Sequence, residues 1–136
     1  ERAKVRLGRQ RFEGRQRRIA VIGYEIPSDL GLERELAARC GATLVDLRDR
    51  QPADVIDELA GACAILTEGT VALPRAVIER LDEAVAISIS AVGTDAVDIA
   101  AATERGIAVT NVDDYCLHEV AEHTVALILA TWRRLG

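Results

Sequence analysis

Three groups of residues in this 136-residue chain are of types that could do chemistry. They are the glycine turn Ala91-Val92-Gly93-Thr94-Asp95, the histidines His118 and His123, and the cysteines Cys40, Cys63 and Cys116. The turn follows an apolar, β-branched run and precedes an alanine-rich, helix-forming stretch. Successive backbone N–H groups at such a strand end, close to a helix start, make a concave site that fits an anion such as a carboxylate. The same residues also read as an ordinary strand-to-helix connection in which Gly93 supplies an unusual backbone angle. Spacing alone leaves both readings open.

The other two groups carry less. His118 and His123 are five apart, not the four that puts two ligands on one helical face, and no second cysteine is close to Cys116. No metal site is expected. A histidine two residues from Cys116 in the same segment does not make a Cys–His nucleophile pair. His123 reads as a satisfied helix histidine packed near a domain junction. Three cysteines, odd in number and with no close pair, argue against a disulfide framework and for a reducing, cytoplasmic setting.

The residues that must position this turn are aliphatic. Hydrophobic residues make up 49% of the chain and aromatics only 3%, so the core is built from Ala, Val, Ile and Leu, as suits a parallel sheet under helices. The length fits one domain with a real core. No apolar run approaches the ~20 residues needed to span a bilayer, and no membrane partner is expected. The start is basic without an apolar segment behind it, so no signal peptide is read there. The chain has no methionine and begins with Glu1, which suggests a piece of a longer product.

Charge is unevenly placed. Residues 1–18 hold eight of the seventeen basic residues, leaving nine basic against twenty acidic residues in the remainder. An acidic body does not attract nucleic acid, and residues 1–18 read as a solvated, flexible basic arm.

From residue 19 the pattern alternates strand and helix. Strands are expected at Ile19–Tyr24, Thr43–Leu47, Cys63–Leu66, Val85–Ser90 and Ile107–Val112. Ser28 is a candidate cap for a helix whose Leu32, Leu36 and Cys40 share an inward face, with Gly41 at its end. Pro52 opens a second helix with Val55, Ile56 and Leu59 inward, and Gly61 stops it. Pro74 opens a third, with Val77, Ile78 and Leu81 inward. Asp98 opens a fourth, ended by Gly106. This order implies a flavodoxin-like, doubly wound, five-stranded parallel sheet with right-handed crossovers. A long junction helix, Leu117–Leu135, follows. It is apolar on most faces and needs burial against a neighbouring domain or a second subunit. Ligands in such sheets bind beyond the carboxyl ends of the strands, where Val92 and Gly93 lie.

Several uses of this fold are excluded by residue type. The loop after the first strand, YEIPSDL, is not the Ser/Thr/Gly-rich loop of a phosphate-binding flavodoxin. A response-regulator receiver needs an acidic residue after the third strand and a lysine after the fifth, whereas Leu66-Thr67 ends the third and the only lysine is Lys4. No G-x-G-x-x-G dinucleotide signature is present.

Gly93, Asp95, Val97-Asp98, Gly106-Ile107, Val109, Asn111 and Ala121-Glu122-His123-Thr124 resemble, in register, the motif of the D-isomer-specific 2-hydroxyacid dehydrogenases. The weaker alternation extends the resemblance back to about Ile19. It implies a substrate-binding domain over 19–112, then a loop and helix over 113–136 leading to an NAD-binding domain. It implies that the Val92 and Gly93 N–H groups hold the carboxylate of a 2-keto or D-2-hydroxyacid. It also places Val92 beside the nicotinamide of NAD or NADP, which sequence outside this chain would mainly bind. The family's catalytic arginine, glutamate and histidine have no counterpart here, so no catalytic residue is assigned, and a homodimer is expected. Departures are Ala91 for the first loop glycine, Ile89 for a frequent arginine, Asp113 for a proline, Cys116 for an asparagine, and His118 for an acidic residue. Loss of the arginine speaks against a phosphorylated substrate, and Asp113 makes the rim more repulsive to anions. A non-catalytic binding or assembly module that keeps the fold and the anion loop is the alternative.

Overall fold

Five short β-branched or alanine-containing runs form one parallel sheet: β1 (Arg17–Val21), β2 (Ala42–Asp46), β3 (Ala64–Thr67), β4 (Ala86–Ile89) and β5 (Ala108–Thr110). The computed structural model describes residues 16–25 and 29–135. Most of the basic arm and the candidate cap Ser28 lie outside the described residues. β1 starts at Arg17, two residues before the run read as strand, and Arg17 and Arg18 pair with Ala42 and Thr43.

The strand order is β2-β1-β3-β4-β5, every pairing parallel. That is the doubly wound flavodoxin order. The registers Ala20↔Ile65, Ile65↔Ile87 and Ile87↔Val109 line up one row of apolar side chains across the sheet. Alternation puts Ile22, Thr67 and Ile89 on that same face. Against it pack a 3₁₀ turn (Pro52–Val55) running into α2 (Ile56–Ala60), then α3 (Arg75–Ile78) and α4 (Ile99–Glu104). Their inward residues Val55, Leu59, Val77, Ile78, Ala101 and Ala102 are buried there, while Leu81, expected on the helix that Pro74 opens, is buried three residues past the end of α3. Full burial of one such Leu or Ile contributes ~1.5–3 kcal/mol.

Helix starts and stops follow the residue types. Pro52 opens its turn, although the first turn is 3₁₀ rather than α. Asp98 caps α4, its Oδ1 accepting from the Ala101 N–H at 2.8 Å; such a cap is worth about 1 kcal/mol. Gly41 and Gly106 follow α1 (Gly31–Arg39) and α4 with φ of 69° each, the left-handed turn that ends a helix.

α1 corrects one expectation. Leu32 and Leu36 are 65% and 46% exposed and Cys40 is exposed, so the face expected to point inward points out. The buried residues are Leu30 and Ala37, which stand outside the main core cluster. Leu30, with φ of 54°, turns the chain just ahead of the helix and takes the buried place itself. This rotates the stripe, so that small Ala37 faces in and the leucines face water.

α5 (Leu117–Arg133) has no buried residue. Val120, Val125, Leu127, Ile128, Leu129 and Trp132 are all exposed, Trp132 by 79%. The need for an outside partner, read from its composition, is therefore unmet within the described residues. None of the described helices is long and apolar enough to cross a membrane.

Candidate functional site

The carboxyl ends of β3, β4 and β5 come together around the turn that follows β4. Ala91 packs against the core, and the next residue, Val92, turns outward and is 41% exposed. Gly93 is exposed. Among the described residues, neither the Val92 nor the Gly93 N–H meets an acceptor. Two free N–H groups in succession at a strand end can bind a carboxylate or another small anion.

The carbonyls of the turn, in contrast, are held. Ala91 O accepts from the Val112 N–H at 3.1 Å, and Val92 O accepts from the Asn111 Nδ2 at 2.9 Å. On the entry side the Ser90 N–H donates to Thr67 O at 2.7 Å. On the exit side Ala96 O and the Asp98 N–H bond with Leu73 at 2.7 and 3.1 Å. Leu73 and Val97 form an isolated parallel bridge. The capped start of α4 is further tied to α3 through Arg75. Its Nη1 and Nη2 reach the two Glu104 carboxylate oxygens at 2.7 and 3.1 Å, and its Nε lies 3.8 Å from Asp98. Hydrogen bonding to Arg75 holds the Glu104 carboxyl below its ordinary range.

Gly93 has no internal reason to be glycine. Its φ is not in the left-handed region, unlike those of Gly23, Gly41, Gly69 and Gly106. A Cβ at Gly93 would meet no atom within 4 Å. The reading in which Gly93 supplies an unusual backbone angle is thereby corrected: the backbone there is one that any L-residue can adopt.

The rim is acidic and polar. Glu68, at the end of β3, accepts from the Glu25 N–H at 2.7 Å through Oε2, linking the ends of β1 and β3. Tyr115 stands near it. A hydrogen bond to the Cys116 thiol pushes the Tyr115 phenol above its ordinary range, and the Glu68 carboxylate adds to the effect. Asp113 and Asp114 are exposed. His118 and His123 are both exposed on α5, so the expected packing of His123 has no partner among the described residues. No group of three His, Cys, Asp or Glu side chains is arranged to hold a metal among the described residues. Cys40, Cys63 and Cys116 are free thiols, and burial pushes that of Cys63 up.

The model of the D-isomer specific 2-hydroxyacid dehydrogenase catalytic domain matches residues 28–131. The chain belongs to that family. Relatives in the family include a glycerate dehydrogenase of Methylorubrum extorquens, 34% identical over 84 residues, 62% of this chain and 26% of that one. A D-3-phosphoglycerate dehydrogenase of Methanocaldococcus jannaschii is 33% identical over 82 residues, 60% of this chain and 16% of that one. Among solved structures, a 2-hydroxyacid dehydrogenase from Ketogulonicigenium vulgare superposes with a TM-score of 0.64 at 32% identity, covering 89% of this chain and 40% of that one. A D-lactate dehydrogenase from Aquifex aeolicus, solved with NAD and lactic acid, shares the fold, with a TM-score of 0.68 at 24% identity over 82% of this chain and 33% of that one. The chain thus matches only 26% and 16% of the length of these two curated relatives.

One residue of the site carries more than its place in the sequence motif suggested. Asn111 stands in the motif as a position only, yet its side chain holds the turn nineteen residues earlier. The signal that could have found it is the β4–β5 register, Ser88↔Thr110, which sets the residues after Ser88 beside those after Thr110.

Proposed function

We propose that this chain is the substrate-binding half of an NAD-dependent oxidoreductase that interconverts a small 2-keto acid and the D-2-hydroxyacid. The Val92 and Gly93 N–H groups hold the substrate carboxylate, and the exposed Val92 side chain forms an apolar lip against the nicotinamide end of the cofactor. The observation that carries this reading is Gly93, whose N–H is unpaired among the described residues and whose Cβ position is open, although neither backbone angle nor internal packing asks for glycine. A ligand approaching the backbone closely does ask for it.

In such a reaction the bound nicotinamide supplies or accepts a hydride. The residues of this chain fix the carboxylate, set the reacting carbon against the lip at Val92, and help exclude water when the two halves close. The turn carries no histidine, and its Asp95 is given no role in moving the substrate proton, so the acid/base residue and the cofactor's phosphate cradle are assigned to the other half of the enzyme. The acid is small, and the carboxylate of Glu68 after β3 with the exposed Asp113 and Asp114 after β5 disfavours a second negative group such as a phosphate on it. Residues 19–112 make the substrate-binding domain and 113–136 the connection onward. The free thiols fit a cytoplasmic enzyme.

Titrating the isotope-labelled whole protein with oxalate tests the site. The amide signals of Val92 and Gly93 should move most. Movement elsewhere with those two unmoved would overturn the assignment.

The partner proposed for α5 is a second copy of the chain. Leaving Val125, Leu127, Ile128, Leu129 and Trp132 in water forgoes ~1.5–3 kcal/mol for each side chain that could be buried. Sedimentation of the 136-residue chain is expected to show dimers or larger species. A monodisperse monomer whose α5 amides are protected from exchange would contradict this.

A further inference from the structure

We infer that Asn111 is a positioning residue for the carboxylate site, aiming the Gly93 N–H into the open space by gripping the carbonyl on the other end of the same peptide. The inference rests on the Val92–Gly93 assignment proposed above. In a planar trans peptide the C=O and the following N–H point in opposite directions. Among the described residues no peptide bond is cis. Val92 O is drawn to the Asn111 Nδ2 at 2.9 Å, so the Gly93 N–H is turned directly away from Asn111. The preceding peptide is set by the same edge of the fold: the Val112 N–H takes Ala91 O at 3.1 Å, which turns the Val92 N–H away from Val112. The chain just past β5 is thus a jig for two successive peptides.

The two grips differ in kind. The Ala91–Val112 bond is backbone to backbone and survives any side-chain change. The Val92–Asn111 bond depends on one exposed side chain that is a donor toward a carbonyl. Among the described residues nothing else holds Val92 O. Without Asn111 the Val92–Gly93 peptide is free to rotate, since Gly93 lacks a Cβ and nothing lies within 4 Å of where one would be. Its carbonyl could then face the anion, and a carbonyl oxygen there repels a carboxylate. Preorganised donors bind without that reorganisation cost.

The test compares the whole protein with its Asn111→Ala and Asn111→Asp variants. The second keeps the size of the side chain and turns the donor into an acceptor. Oxalate affinity is read by calorimetry, NADH affinity by fluorescence, the fold by circular dichroism, and the Gly93 amide by its chemical shift in the free protein. Oxalate binding is expected to weaken about tenfold in Asn111→Ala and by more in Asn111→Asp, with NADH affinity unchanged and the Gly93 amide shifted before any ligand is added. Unchanged oxalate affinity in both folded variants would overturn the positioning role while leaving the carboxylate site intact. If the unaltered protein fails to move its Val92 and Gly93 signals with oxalate, the site reading itself falls and this inference with it. Equal losses of oxalate and NADH affinity would mark a general structural role and would also overturn it.

Discussion

Replacing Gly93 by valine is expected to weaken oxalate or 2-keto-acid binding by at least about a hundredfold while leaving the fold standing. The size follows from the two N–H groups: a hydrogen bond to a charged group is worth about 1.5–3 kcal/mol, and two lost together exceed a factor of a hundred. The fold should tolerate the change, because φ at Gly93 lies outside the left-handed region and its Cβ would enter empty space. The valine methyls would stand where a carboxylate has to sit. Gly41 and Gly106 provide the contrast. Their φ of 69° each makes any side chain there a backbone strain, so valine at either should lower the melting temperature and leave oxalate affinity near its original value. Calorimetric titration and thermal melts of the variants separate the two effects. A folded Gly93→Val protein that binds oxalate normally would remove the turn from the site.

The sequence made the architecture legible because local and global signals agree along most of it. Pro52, Gly61, Pro74, Asp98 and Gly106 each act on the backbone next to them, and each sits at an element end in the structure. The inward faces of the helices after β2 and β3 were also legible, since Val55, Leu59, Val77 and Ile78 have a spacing that is both helical and apolar; Leu81 is buried too, but past the end of its helix. The face of α1 was not. Its leucines share a stripe, but the burial went to Leu30 and Ala37, and a leucine with φ of 54° ahead of the helix leaves no mark in composition. Propensity describes a helix, and only packing decides its rotation.

The site divides the same way. The positions Val92 and Gly93 follow from the spacing between strand and helix and from the family motif. Why Gly93 is glycine did not follow: a strained turn and an open approach use the same letter, and only φ and the surrounding space distinguish them. The hold of Asn111 on Val92 O joins residues nineteen apart through the β4–β5 register, which no local pattern encodes.

Residues 1–136 on their own are expected to bind neither NADH nor NADPH and to reduce none of glyoxylate, pyruvate or hydroxypyruvate. Hydride transfer needs a phosphate-cradling glycine loop at a helix N-terminus and a proton donor beside the keto oxygen. The chain contains no G-x-G-x-x-G, and its two histidines are on α5 and exposed. It spans 26% of the glycerate dehydrogenase and 40% of the solved 2-hydroxyacid dehydrogenase that it resembles, so most of what those proteins contain has no counterpart in it. Anion binding at Val92 and Gly93 should nevertheless persist, because the grips on the turn come from β3, the residues just past β5 and Leu73, all within the chain. The two halves of the function should therefore separate: oxalate shifts the turn in the 136-residue chain, while turnover is expected only from a product that also carries a dinucleotide-binding signature. Assaying both forms with both cofactors decides the matter. Turnover by residues 1–136 alone would mean the chemistry lies in residues given no role here. A folded longer product that binds the acid but turns nothing over would favour a module that has kept the anion turn and lost the reaction, with Ala91, Ile89 and Asp113 as the first positions to revert.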